Sequence, residues 1–375
     1  MSDVVVSPGF EKPEERLLLS LARPTVPVED GPALRELLAS HPRFDWAFFH
    51  DQAIRHRVTS IVARNIEIHG LPYPSAALRE SFRANWIYNR QRNNALCEEA
   101  DQILAGLHGA GIRPMVRKGQ YLARALYPEP GLRPMSDLDL MVRENDIGAI
   151  SSILRELGYA QGRVAPSLRT MQPLTRFDEI YWKMNASSQP PFVRLTSDQF
   201  VQAFVVDLRQ GILEPASNRS VDVSEWFDRA VLVDPRLGMY APGVEDFLID
   251  ICVHLHREAT TLTAIEGRKD LWLLRFIDML LLFGQEQLSP NSLAARTLHY
   301  GVAAEVGYAL ALFTQLYEHP GAAETLRALP AVSAEFLNQY GALDGEPAQW
   351  SADFRTRLFD NYRFLEPTAT AKLVP

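Results

Sequence analysis

The chain has 375 residues, 47% hydrophobic and 22% charged, which suits two or three globular domains with ordinary cores. Its formal charge of −8 excludes a global basic field that would draw in long nucleic acid, although a local basic groove stays open. The two cysteines, Cys97 and Cys252, have no metal-ligand spacing. They read as small buried hydrophobes rather than a disulfide framework, and a cytoplasmic setting fits. The opening Met-Ser-Asp-Val-Val-Val-Ser-Pro-Gly lacks a basic segment followed by an apolar one, so no secretory signal is expected. The longest apolar stretch, Leu271 to Phe283, contains Arg275 and Asp278 and is too short to span a bilayer, so no membrane partner is expected.

Residues 1–30 carry Pro, Gly and Asp without periodicity and read as a flexible arm. From Gly31 to His69 apolar residues recur at helical spacing, which predicts two or three helices. Pro72-Tyr73-Pro74 breaks the pattern. Ser75 can cap a helix running to about His108, with Leu96, Ala100, Ile103, Leu104 and Leu107 on its core face and Gly109 and Gly111 at its end. Ile112–Arg117 reads as extended and Gly119–Tyr127 as a short helix. A turn over 128–136 leads into a strand through Asp137, and Asn145–Leu157 reads as a helix ending at Gly158. Alternation over Phe177–Lys183 and Phe200–Leu208 predicts further strands. Beyond Val244 the pattern is helical, near 244–258, 268–284, 292–317, 321–329, 333–340 and 353–364, with a loose tail from Leu365. The fold class is therefore α+β: a small mixed or antiparallel sheet between helical regions. The expected segments are an arm (1–30), an N-terminal helical region (31–110), an α+β core (111–235) and a C-terminal helical region (236–375).

The most informative stretch is 118–142. Asp137 and Asp139 stand two apart in a short apolar run. On a strand, residues i and i+2 share a face, so both carboxylates point one way while Leu138, Leu140 and Val142 point into a core. Paired carboxylate oxygens on rigid backbone suit a hard divalent cation, Mg²⁺ or Mn²⁺. Upstream, Gly119 lets backbone approach a phosphate with no Cβ in the way, and the helix that follows adds N–H groups and a positive dipole end. Lys118 is either a triphosphate ligand or a salt-bridge lysine. Arg133, in a turn fixed by Pro134, either binds phosphate or pairs with a carboxylate. Ser136 either caps the turn or bonds a phosphate.

Together, Arg117-Lys118-Gly119, Tyr127-Pro128-Glu129-Pro130, Arg133-Pro134 and Asp137-Leu138-Asp139-Leu140 carry a family likeness. The pattern resembles the uncharacterised bacterial nucleotidyltransferases of the polymerase-β-like nucleotidyltransferase superfamily. The likeness is specific over about residues 112–143 and looser to about 285. It departs from most of the wider superfamily in having Lys-Gly where Gly-Ser is usual. The resemblance implies a polymerase-β-like sheet, a nucleoside triphosphate (NTP) co-substrate, taken as ATP, and transfer of a nucleoside monophosphate (NMP) with release of pyrophosphate. The acceptor would be a small molecule, peptide or protein. It also implies three metal-holding catalytic carboxylates. Asp137 and Asp139 match two, and Asp207, in Phe204-Val205-Val206-Asp207-Leu208-Arg209, is the candidate third. The bland reading of Asp207 is a strand-end or salt-bridged carboxylate. Related proteins often carry a His where Arg209 stands.

Other residues invite weaker readings. His254 and His256 are two apart on a helix and point to different faces, so a joint metal site is not expected. Related proteins carry a His in this helix, which makes one of them a candidate for lining the nucleotide cleft. Asp278 needs a partner in its apolar helix, with Arg275 the bland one and Lys118 or a ribose the functional one. Trp226-Phe227-Asp228-Arg229-Ala230 resembles an element of the same group and reads as packing. Two alternatives stay open: an inactive nucleotide-binding or partner-docking module, and a tRNA-modifying nucleotidyltransferase. The intact Asp-x-Asp weighs against the first, because two adjacent like charges cost stability unless a cation neutralises them. The acidic balance and the lack of a basic run interleaved with aromatics weigh against the second.

Overall fold

The computed structural model describes residues 5–165, 170–185, 188–213, 217 and 219–367. The chain divides into two compact units, one made of Met1–Trp86 with Leu248–Pro375 and the other of Ile87–Phe247.

Order starts earlier than the periodicity suggests. Strand β1 (Val5–Val6) pairs antiparallel with Tyr317–Glu318. Helix α1 (Pro13–Leu21) replaces much of the expected arm, with Leu17, Leu18, Leu19 and Leu21 at most 1% exposed. Its leucines stand mostly side by side, Leu17-Leu18-Leu19 and then Leu21, so they cover a broad face with no repeating 3.6-residue stripe; Pro13 at its start and Glu14 and Glu15 in its first turn are the signals that were there. Helices α2 (Gly31–Ala39), α3 (Trp46–Arg55) and α4 (Thr59–Ile68) follow as expected. Helix α5 (Ala76–Gly109) is entered at Ser75, whose Oγ accepts from Leu78 N at 3.2 Å, and Gly111 beyond it has φ +74°.

In the 87–247 unit, β2 (Met115–Val116), helix α6 (Lys118–Ala125), β3 (Leu138–Met141) and helix α7 (Ile147–Glu156) come first. Strands β4 (Ala160–Ala165) and β5 (Thr170–Pro173) form an antiparallel pair. Helix α8 (Arg176–Asn185) stands where alternation predicts a strand. The reason is local: Thr175 and Asp178 form a reciprocal cap, with Asp178 N donating to Thr175 Oγ1 at 3.1 Å and Thr175 N to Asp178 Oδ2 at 3.0 Å. Strands β6 (Phe192–Leu195) and β7 (Ala203–Arg209), helix α9 (Ser224–Asp228), and strands β8 (Val231–Asp234) and β9 (Met239–Ala241) complete the unit.

The sheet is mixed, as the α+β class requires, but larger than expected: eight strands in the order β5-β4-β6-β7-β3-β2-β9-β8. At its centre β3 runs parallel to β7 and antiparallel to β2. Leu138, Leu140, Val206 and Leu208 project into one core with Leu96, Ile103 and Leu107 of α5 and Ile150 and Leu154 of α7. Each such burial is worth about 1.5–3 kcal/mol. A slip of one residue in β3 or β7 would exchange these apolar side chains for the carboxylates, so the core fixes the register.

Helix α10 (Val244–Thr260) carries the unit boundary, between Phe247 and Leu248, in its first turns. Then come α11 (Leu262–Glu266), α12 (Leu273–Phe283), α13 (Pro290–His299) and α14 (Ala303–Phe313). The single helix expected over 292–317 is two, broken at Gly301, whose φ of +65° no right-handed helix admits. Strand β10 (Tyr317–Glu318), helices α15 (Pro320–Ala328) and α16 (Ala334–Asn338), the β11 (Gln339–Tyr340) and β12 (Ala348–Gln349) pair and helix α17 (Phe354–Phe359) end the described chain. No helix among the described residues is long and apolar enough to cross a membrane.

Candidate metal centre

Strand pairing builds the site. In the parallel β3–β7 ladder Asp139 is the direct partner of Asp207. Asp137 lies two residues before Asp139 and shares its face. One carboxylate oxygen from each of the three lies within 4.8 Å of the others. Such a spread is about what ligands at opposite corners of one cation span, given metal–oxygen distances of about 2.0–2.6 Å.

Three carboxylates this close repel one another, and the neighbourhood shows it. Burial first, then the charges of Asp139 and Asp137, push the Asp207 carboxyl up to about 7, against the pull of Lys118 and Arg209. One cation of the chain already faces the cluster: Lys118 Nζ donates to Asp139 Oδ1 at 3.1 Å, with the two side chains only 10% and 5% exposed. Lys118 begins α6 with φ +44°, a left-handed conformation costly for a lysine. The salt-bridge reading of Lys118 is therefore the one on display.

Arg133 is 3% exposed, and its Nη1 donates to Pro134 O at 3.4 Å. A Cβ on Gly119 would stand 3.1 Å from that same nitrogen and 3.3 Å from Met135 Cγ, so the glycine lets Arg133 and Met135 close over the start of α6. Ser136 is exposed and donates its Oγ to Asp137 Oδ1 at 3.1 Å.

Three residues that sequence reasoning passes over hold the 128–136 turn to α5. Asn93 Nδ2 donates to Pro130 O at 2.6 Å and Arg133 O at 2.8 Å. Asn89 Nδ2 reaches Gly131 O at 2.5 Å, and Arg92 Nε reaches Met135 O at 3.2 Å. The signal was present: Asn89 and Asn93 continue the buried stripe of Leu96, Ala100, Ile103 and Leu107 by two more turns. A polar residue on a core stripe implies a buried partner. Gly131 also permits the close approach, since a Cβ there would meet Arg90 Cβ at 2.8 Å.

The remaining candidates have other surroundings. His254 faces Arg257 at 2.9 Å, Arg275 at 3.1 Å and Glu258 at 2.9 Å. His256 instead stacks on Phe336, with ring centroids 5.4 Å apart. Arg275 also pairs with Glu258 at 3.0 Å, and Asp278 is fully buried. Trp226 is fully buried and Arg229 grips Asp246 through Nε at 2.9 Å and Nη2 at 3.2 Å.

No curated protein and no solved structure matches the chain. A family model does, that of the uncharacterised nucleotidyltransferases, over residues 42–318, which includes the whole carboxylate cluster, Lys118 and Arg133. With well over half of its residues in that match, the chain belongs to the uncharacterised nucleotidyltransferase family.

Proposed function

We propose that the protein transfers an NMP from an NTP, taken as ATP, to a small-molecule, peptide or protein acceptor and releases pyrophosphate. The carrying observation is the triad of Asp137, Asp139 and Asp207, whose oxygens converge within 4.8 Å in a chain of a nucleotidyltransferase family. The donor set fits a divalent metal, Mg²⁺ or Mn²⁺: three hard oxygens in a part-buried like-charge cluster, with the Asp207 carboxyl pushed up to about 7 by burial and by the charges of Asp139 and Asp137. Bound there, a metal pair would stabilise the entering and leaving oxygens of the in-line displacement. The three aspartates are the residues that would hold it, on strands whose register the core fixes. Lys118 offers an ammonium for the β- and γ-phosphates, and Arg133 and Ser136 lie on the turn that leads into β3. In the reaction a nucleophilic oxygen of the acceptor attacks the α-phosphorus, the bond to pyrophosphate breaks, and the acceptor gives up its proton. A central mixed sheet carrying the carboxylates supports placing the family in the polymerase-β-like superfamily.

One observation favours a second reading, an inactive docking module: the Lys118 ammonium already neutralises Asp139. Calorimetry separates the two. The transferase reading expects NTP to bind much more tightly with Mg²⁺ than in EDTA; equal affinity in both contradicts it and favours the module. Incubation with each labelled NTP, Mg²⁺ and cell lysate then identifies the acceptor.

A further inference from the structure

The unit formed by residues 1–86 and 248–375 contains a cavity of about 540 Å³ whose wall is strongly basic. Arg363 is committed there, gripping the buried Asp270 through Nε at 2.6 Å and Nη2 at 2.8 Å. Arg55, Arg57, Arg268 and Lys269 add four more cations, against Asp51 as the other acid on the wall. In a chain of net charge −8 this concentration is local and opposite in sign.

The arginines are held in place at a cost. Arg57 has φ +59° and Arg268 φ +54°, and Leu271 beside them has φ +45°. Left-handed backbone at non-glycine residues persists where surrounding structure imposes it, and it gathers at ligand sites. The guanidinium of Arg57 lies 3.7 Å from the Trp272 ring centroid, and that of Arg268 lies 4.0 Å from the Phe364 centroid. Stacking fixes the plane of a guanidinium and directs its N–H groups along that plane, the geometry that grips phosphate in pairs of hydrogen bonds. Arg55 gives Nη1 to Gln52 Oε1 at 2.9 Å, while its buried Nη2 has no hydrogen-bond partner among the described residues. A buried guanidinium donor with no acceptor calls for an anion. Burial lowers the pKa of this group to about 10, against the pull of Asp270, Asp360 and Asp51, the mark of a desolvated cation.

We infer that this cavity binds a small phosphate ester of nucleoside monophosphate size. Phosphate fits four clustered cations better than a single carboxylate does. The volume exceeds what inorganic phosphate fills, and Tyr362, 69% exposed on the wall, presents a ring face for a base. This inference is independent of the carboxylate cluster, which lies in the other unit.

The test is a set of thermal melts of the full chain in EDTA. Ribose 5-phosphate and AMP are compared with inorganic phosphate and with sodium chloride at matched ionic strength. The expected result is stabilisation by AMP, then ribose 5-phosphate, above inorganic phosphate, with none from chloride. The double variant Arg268→Gly with Lys269→Gln should weaken AMP at least tenfold, whereas Arg236→Gln, at an exposed arginine of the other unit, should leave it unchanged. Both replaced residues are exposed and glycine accepts the φ of Arg268, so the ligand-free melting temperature of the double variant should hold or rise. The inference is overturned if phosphate esters act no differently from chloride, or if the double variant keeps the full AMP effect. A clear fall in ligand-free stability of the double variant overturns it too, by giving these residues to the fold.

Discussion

The three aspartates differ in what each charge costs the folded chain. Asp139 has a buried partner in Lys118, whereas Asp207 is pushed up to about 7. Replacement by Asn should therefore split them. Asp137→Asn and Asp207→Asn relieve repulsion, so metal-free stability should hold or rise by about 1 kcal/mol or less. Asp139→Asn removes the partner of a buried ammonium and should cost about 1–3 kcal/mol, moderated by the two carboxylates that stay nearby. Urea melts in EDTA check the split, and equal losses at all three positions would count against it. pH gives a second handle. A carboxyl whose folded pKa lies above its ordinary value of 3.8 binds a proton more readily folded than unfolded. Its contribution is complete below about pH 4 and is lost as pH rises through about 7. The melting temperature of the wild type, measured against Asp207→Asn, should fall between pH 5 and pH 8 in EDTA, and saturating Mg²⁺ should flatten that difference. Lys118→Ala should weaken triphosphate binding more than monophosphate binding, as an ammonium at the β/γ end requires; an equal loss for both would move the lysine to the fold or to the α-phosphate. At this scale the sequence was most legible. Asp137 and Asp139 share a face by strand periodicity alone, and Asp207 follows an alternating apolar run. The Lys118–Asp139 contact was open to either reading, because the sequence does not show which of two chemically reasonable partners an ammonium takes.

Elements were legible where a pattern repeats and obscure where one local contact decides. Helix α5 declares itself by its stripe, and β7 by the regular burial of Phe204, Val206 and Leu208. Helix α1 hid because its leucines run consecutively without a repeat, and α8 because two side chains, Thr175 and Asp178, outweigh an alternating pattern. The contact of α5 with the 128–136 turn is the element-scale feature that positions β3. Asn93→Ala would leave the carbonyls of Pro130 and Arg133 without their donor, at a cost of about 1–3 kcal/mol. If the turn positions the carboxylates, the same variant should also reduce metal-induced stabilisation, which Thr175→Ala, a loss of about 1 kcal/mol at the α8 cap, should not. Differential scanning calorimetry with and without Mg²⁺ reads both. A normal metal shift in Asn93→Ala would leave the turn a purely structural element.

At the scale of the molecule, composition and charge set the class, and the α+β reading with a mixed sheet describes what folds. The sheet exceeds the expectation because β5, β8 and β9 are only three or four residues long and β4 is mostly part-exposed, with little alternation to announce them. The joining of 1–86 with 248–375 into one unit is a long-range pairing of two helical stretches, and helical periodicity carries no record of partners. The family match covers all of 87–247 and part of the other unit, so the carboxylate cluster lies well inside it. With a net charge of −8, the chain should show no retention on generic duplex DNA in gel shifts at about 150 mM salt, and a salt-sensitive shift would reopen a nucleic-acid acceptor. The central claim is that the three carboxylates hold the metal that NMP transfer needs. It is tested most directly by following a label in the α-phosphate of the NTP into acceptor, with wild type and Asp139→Asn, in Mg²⁺ and in EDTA. Label should enter the acceptor only with wild type and Mg²⁺, and none should enter when the label is moved to the γ-phosphate. Full transfer by Asp139→Asn, or transfer of the γ-label instead, would contradict it.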